Sequence, residues 1–262
     1  MKDNTNNKEF WNNYVPYWEK KVGDANQNDK APDKTPDDLM LEELFNAMNV
    51  SWNDKVLDYG CGFCRLYPIY QKNIAGGGID KNLYCGLDIS EVMLEHAELK
   101  HHDLKIGKNL FEFDGLHVPF DDSSFDQIIC FGVFDAVRQE NVLGELLRVL
   151  KAGGKLLLSG KNDTYFSDDK DAYIAEVNAR KKGHPNFFTD VHRLRNELLL
   201  RNVSFEEERY YLYRKEFAIN KYDKTIPETF YQWVWVMKKN EEIYNFEFPR
   251  FSDTFSKIVL KE

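Results

Sequence analysis

Apolar positions change their period twice along the chain. Phe10, Trp11, Tyr14, Val15 and Trp18 recur at helical spacing, which predicts a short amphipathic helix with one apolar face. Gly23 to Asp38 is rich in Asp, Asn, Lys and Pro and reads as a mobile loop. A second helix is expected over Pro36 to Met48, with Leu39, Leu41, Leu44 and Phe45 on its apolar face. From Lys55 short apolar runs alternate with helical patterns. The runs are Val56–Tyr59, Tyr84–Ile89, Leu110–Asp114, Phe125–Phe131 and Lys155–Ser159; the helices are Arg65–Lys72, Glu91–Leu99 and Gln139–Leu150. Such alternation implies a parallel sheet covered by helices on both faces. Past Gly160 the pattern loosens. Helices are expected at Asp171–Lys182 and Asp190–Arg201, the second with Thr189 or Asp190 as N-cap. Phe205–Tyr213 and Phe230–Met237 are aromatic and alternating, with no clear helix between them, and so suit an antiparallel pair at the sheet edge. The expectation is an α/β fold with a seven-stranded, mostly parallel sheet.

Composition narrows the function classes. In 262 residues, apolar types make up 42%, enough to bury a core. The formal net charge of −9 does not favour a nucleic acid partner, because phosphate backbones are held mainly by Lys and Arg. Arg180–Lys182 with Arg193 and Arg195 form a local basic patch suited to a smaller anion. There is no apolar run long enough to span a membrane, and Met1 to Lys8 lack a signal-peptide segment. Four cysteines do not suggest a disulfide framework, so a cytoplasmic location is expected.

The strongest chemical signal is Val56-Leu57-Asp58-Tyr59-Gly60-Cys61-Gly62-Phe63-Cys64-Arg65. Glycines after a strand let the backbone turn sharply and approach a ligand with no Cβ in the way. Two further acids follow later strands. Asp88 ends the second, where a carboxylate can accept from both hydroxyls of a ribose, and Asp114 follows the third, where it can accept from an adenine amino group. Val118 to Asp126 leads into the fourth. Acids at consecutive strand ends lie where open α/β sheets bind ligands. As plain structure, Asp88 also suits a helix N-terminus and Asp114 a turn before Gly115.

Val56 to Arg65, Gly86 to Ala97, Asp114 to Asp126 and Leu146 to Gly154 together resemble the class I S-adenosylmethionine-dependent methyltransferases, in the small-molecule subgroup with a V-L-D-x-G-C-G motif. The resemblance covers residues 52 to 160. It implies a Rossmann-like fold and S-adenosyl-L-methionine as cofactor. With no N-P-P-Y or D-P-P-Y phrase after the fourth strand and an acidic balance, the expected acceptor is a small polar metabolite, such as a sugar or phosphorylated precursor, methylated at oxygen or nitrogen. The sequence does not choose between oxygen, nitrogen and carbon. The resemblance assigns the cofactor to Asp58, Gly60, Gly62, Arg65, Asp88, Ile89, Met93, Asp114, Gly115, Leu116 and Phe131, with Trp11, Tyr14 and Trp18 on a helical lid. One domain over 1–262 is expected: a lid over 1–50, a cofactor-binding core over 52–160, and a substrate-covering segment with C-terminal strands over 161–262. No metal site is expected.

The pattern departs from the subgroup in three places. Cys64 stands where the third glycine of the turn would be. Asp58 and Asp88 are 30 residues apart, against roughly 20 in a compact unit, with the glycine-bearing stretch Ala75–Asn82 taking up the excess. After the fourth strand a histidine-containing phrase is replaced by Gly132 to Val137, so that Asp135 occupies about the place of a base. His184 and His192 are the other candidates for proton transfer. Cys61 and Cys64 form one C-x-x-C where structural zinc usually takes two pairs, and read better as small buried residues. Two rivals remain: a methyltransferase-like binding protein without turnover, and an NAD-dependent oxidoreductase, whose G-x-G-x-x-G would need glycine at Arg65.

Overall fold

The computed structural model describes residues 4–27, 36–74, 83–243 and 245–261. In chain order the elements begin with α1 (Lys8–Gln27), α2 (Pro36–Ala47), β1 (Val56–Tyr59), α3 (Tyr67–Ile74), β2 (Tyr84–Asp88), α4 (Glu91–Lys100), β3 (Leu110–Glu112) and β4 (Phe125–Cys130). A 3-10 turn at Phe134–Ala136 leads into α5 (Gln139–Val149), followed by β5 (Leu150–Lys161), β6 (Thr164–Phe166), α6 (Lys170–Lys181), β7 (Phe188–Thr189) and α7 (Val191–Leu200). The chain continues through β8 (Val203–Tyr211), α8 (Arg214–Ala218), β9 (Gln232–Lys239), β10 (Ser252–Asp253) and β11 (Lys257–Val259).

Seven strands form one sheet in the order β3-β2-β1-β4-β5-β9-β8. The first five are mutually parallel, and β9 pairs antiparallel with both β5 and β8. This is the arrangement the alternating pattern predicts. Because side chains alternate along a strand, the sheet separates two apolar layers. Leu57, Leu87, Ile128 and Leu158 face α5 and α7 on one side. Val56, Tyr84, Ile129 and Leu157 face α2, α3 and α4 on the other.

Arg148, near the end of α5, holds the loop that feeds β4. Its guanidinium donates to the carbonyls of Val118 and Phe120, at 2.9 Å each, and to Glu145 and Asp122. Lys151 reaches Asp126 at 2.7 Å. These bonds join the Val118–Asp126 and Leu146–Gly154 motifs physically, which explains why two stretches so far apart in sequence belong together.

Two local readings of element bounds need correction, and the tail adds a detail. The first helix does not stop near Trp18 but runs on to Gln27, so residues 23–27 of the expected loop are helical; residues 28–35 lie outside the described part. Pro16 removes one i→i−4 bond without ending it. Residues between positions 19 and 27 include good helix formers, the charged Glu19, Lys20 and Lys21 and the small Ala25, and composition alone hid that propensity. Helix α3 begins at Tyr67 rather than Arg65, because Cys64 adopts φ +54° and closes a turn in which its N–H donates to Cys61 at 2.8 Å. The stretch Ala75–Asn82 lies outside the described residues. Finally, the C-terminal tail is laced onto the 162–190 segment by two small pairings, β6 with β11 and β7 with β10, which no apolar periodicity announces in strands of two or three residues.

Candidate active site

At the carboxyl end of β1 the backbone N–H groups of Gly60 and Cys61 both donate to the Leu87 carbonyl, at 2.7 and 3.1 Å. Gly60 has φ +69°, and a Cβ there would lie 2.6 Å from Val133 Cγ2, so only glycine fits. Gly62, at φ +50°, faces open space, as does Gly132 beyond β4 at φ +73°. Two glycine turns with nothing in front of them thus flank the middle of the sheet edge.

Asp88 ties this edge together. Its carboxylate accepts from Gly62 N at 2.8 Å and Ser90 N at 2.9 Å, and Ser90 Oγ accepts from Met93 N to cap α4. Burial raises the pKa of Asp88, and the surrounding backbone N–H groups oppose that. A carboxylate has about four acceptor positions, so capacity remains for a further donor. Asp58 accepts from the Tyr84 hydroxyl at 2.7 Å. Its burial outweighs that bond and pushes its pKa up to about 7, with Asp88 adding to the rise. Ile89 and the buried Met93 follow directly and border the same end of the sheet.

The other residues assigned to the cofactor make the following contacts within the chain. Arg65 is held by Asp38 of α2, with Nε 2.7 Å from Oδ1, because it lies in the turn and not on the helix. Asp114 turns its carboxylate onto its own loop, where Oδ1 accepts from Leu116 N at 2.7 Å and His117 N at 2.8 Å and Oδ2 faces His117 Nδ1 at 3.1 Å. The turn-forming reading of Asp114 therefore describes its contacts. Leu116 is half-buried beside it, and Gly115 takes φ +79°. Phe131 stacks on Phe217, with ring centroids 6.3 Å apart.

Helix α1 lies across these strand ends. Asn12 Oδ1 accepts from Ser90 Oγ at 2.7 Å, and Lys8 reaches Glu91 and Glu112. Trp11 and Tyr14 pack with Phe10 around His184, their ring centroids 5.2, 5.1 and 6.4 Å from the imidazole. The lid aromatics thus meet the 162–190 segment. Trp18 is on α1, but its side chain lies outside the described part.

Beneath His184 sits a polar group that periodicity could not reveal. Asp135, in the 3-10 turn, pairs with Lys161 at the end of β5, and Lys161 Nζ also donates to Asn186 Oδ1 at 2.5 Å. Burial opposes ionisation of Asp135, yet Lys161 holds its pKa below the ordinary carboxylate value; reciprocally, Asp135 holds Lys161 above the lysine value. Burial lowers the pKa of His184, against the pull of Asp135. Its Nδ1 is 2.5 Å from the Pro185 carbonyl, which requires the proton on that nitrogen and leaves Nε2 with a lone pair in the neutral ring. Arg214 extends the group through Tyr231, at 3.1 Å. His192 is not part of it: exposed on α7, it contacts the Pro227 carbonyl. Lys161, Asn186 and Arg214 were missed, since lone polar residues at strand and helix ends carry no sequence signal.

All four cysteines are free and buried, and burial raises the thiols of Cys61, Cys85 and Cys130. Among the described residues no group of three or more His, Cys, Asp or Glu could hold a metal ion, and no helix is long and apolar enough to cross a membrane.

The seven-stranded sheet, five strands parallel and an antiparallel pair at one edge, is a Rossmann-like fold shared with solved methyltransferase structures. Residues 57–158 match the methyltransferase domain family. An uncharacterised protein of Methanocaldococcus jannaschii is 35% identical over 125 residues, 47% of this chain and 48% of that one. Demethylmenaquinone methyltransferase of Staphylococcus epidermidis is 35% identical over 117 residues, 44% of this chain and 46% of the enzyme. The chain thus spans about half the length of the curated relatives it matches. Among solved structures, a Thermotoga maritima protein described as an S-adenosylmethionine-dependent methyltransferase, possibly a histamine N-methyltransferase, superposes with a TM-score of 0.56 at 17% identity, over 88% of this chain and 99% of that one.

Proposed function

We propose that this protein binds S-adenosyl-L-methionine along the carboxyl ends of β1, β2 and β4 and transfers its methyl group to an oxygen or nitrogen of a small polar acceptor. The observation that carries this reading is the Gly62–Asp88 bond, which joins the ends of β1 and β2 beside open backbone at Gly62 and, after β4, at Gly132. The space in front of Gly62 and Gly132 suits a ligand that must touch backbone, and Asp88 retains acceptor capacity for ribose hydroxyls. When bound, the cofactor supplies the activated methyl group; the chain supplies position and a suitable electrostatic setting. Residues 1–262 are read as one methyltransferase domain, with α1 as the lid and 161–262 as the cover over the acceptor.

The acceptor side is the group formed by Asp135, Lys161, Asn186, His184 and Arg214. Its polarity favours a hydroxylated or charged metabolite, a sugar or a phosphorylated precursor, and the acidic chain as a whole disfavours nucleic acid. Neutral His184, with Nε2 free, is the better base for a hydroxyl acceptor. Asp135, ionised and bound to Lys161, positions that lysine.

Calorimetric titration with S-adenosylmethionine and S-adenosylhomocysteine tests the reading. Saturable binding, weakened at least about tenfold by Asp88→Ala, is expected, about 1.4 kcal/mol of binding free energy. Failure of well-folded protein to bind either compound would overturn it.

A further inference from the structure

Asn6 Oδ1 is buried and has no hydrogen-bond partner, an arrangement that costs free energy unless a ligand supplies a donor. It lies against the turn after β3: a Cβ on Gly115 would be 3.2 Å from Asn6 Oδ1 and equally close to Ile89 Cδ1. Phe113 N donates to the Asp88 carbonyl at 3.3 Å, which brings this turn beside the acid assigned to the ribose. An adenine extending from that ribose toward Gly115 presents an exocyclic amine, which is a hydrogen-bond donor. The nearby carboxylate, Asp114, already accepts from its own loop on both oxygens, whereas Asn6 Oδ1 has no partner.

The arm carrying Asn6 is fixed. Asn4 Nδ2 donates to the Gly183 carbonyl at 2.9 Å, Asn7 Nδ2 to Asn4 Oδ1 at 3.1 Å, and Trp11 Nε1 to the Thr5 carbonyl at 3.2 Å.

Resting on the proposed cofactor reading, we infer that Asn6 accepts a hydrogen bond from the adenine amino group and so selects an adenosine over an inosine cofactor. A hypoxanthine ring has a carbonyl in place of that amine, and two acceptors would then face each other in a buried site. The N-terminal arm thereby becomes part of the base pocket as well as a cover.

The test is calorimetric titration of the full chain with S-adenosylhomocysteine and with S-inosylhomocysteine, for wild type, Asn6→Ala and Asn6→Asp. Wild type is expected to prefer the adenosine compound at least tenfold. Asn6→Ala should lose most of that preference, and Asn6→Asp, which keeps an acceptor, should retain it. A merely structural role would weaken both ligands alike and leave their ratio unchanged. An unchanged ratio in Asn6→Ala, or equal binding of both compounds by wild type, overturns the inference and leaves the cofactor reading standing. Failure of wild type to bind S-adenosylhomocysteine overturns both.

Discussion

Gly60 and Gly62 share a left-handed backbone but face opposite surroundings, and substitution should separate the two. Alanine at Gly60 meets Val133 Cγ2 at 2.6 Å, so both folding and ligand binding should suffer. Alanine at Gly62 meets nothing, so its cost to stability should stay near the roughly 1–2 kcal/mol of a left-handed L-residue, while its methyl enters the space assigned to the cofactor. Thermal melts paired with S-adenosylhomocysteine titrations distinguish the cases, the expected signature for Gly62→Ala being a modest melt shift with a large affinity loss. Asp58 yields a pH prediction. Its folded pKa of about 7 lies above the unfolded value of 3.8, so between them the native state binds the extra proton and stability falls as pH rises. Below the unfolded value the penalty is absent, and above about 7 it is complete, on the order of 4 kcal/mol. Urea melts from pH 4 to 8 should show this slope in wild type, and Asp58→Asn should flatten it. An equal slope in both proteins would contradict the assignment.

Among the elements, α5 and the tail carry the clearest dependencies. The Lys239 side chain is fully buried, and its ammonium donates to the carbonyls of Leu147 and Leu150 at the end of α5, at 3.1 and 2.7 Å. Lys239→Met leaves those acceptors without their partner and should cost about 1–3 kcal/mol, read from denaturant melts. At the other end of α5, Glu140 Oε1 accepts from Phe251 N and Ser252 N, at 2.8 Å each. Glu140→Ala should therefore release β10 and β11 locally. Hydrogen exchange should speed up in residues 245–261 and in β6, with little change in β1 or β4; uniform exchange across the sheet would argue against local opening. Legibility at this scale followed length. Helix α7, with Asp190 accepting from Arg193 N as its cap, was readable from capping and period, whereas α8 and the short strands β6, β7, β10 and β11 are too brief for either signal.

At the scale of the molecule, the closure of α1 and the 162–190 segment around His184 joins regions 170 residues apart in sequence. With His184 as the proposed base, His184→Gln should lower kcat for a hydroxyl acceptor about a hundredfold and leave S-adenosylhomocysteine affinity nearly unchanged. In wild type the rate should fall only below the ordinary histidine range, since burial lowers this pKa; a pH–rate profile identical in the variant would refute the role. By itself the sequence determined the strand–helix alternation, the antiparallel edge pair, the glycine turn and the acid at Asp88. Each of these is local, written in period, in φ-permissive residues or in a short motif. Tertiary structure alone decided which partner each polar side chain meets. It committed Arg65 to Asp38 and Asp114 to its own loop, separated His192 from His184, and assembled Lys161, Asn186, Arg214 and Asn6 around the strand ends. The reason is physical: a polar side chain's partner is set by which elements meet in space, and no pattern in one segment encodes what another segment brings to it.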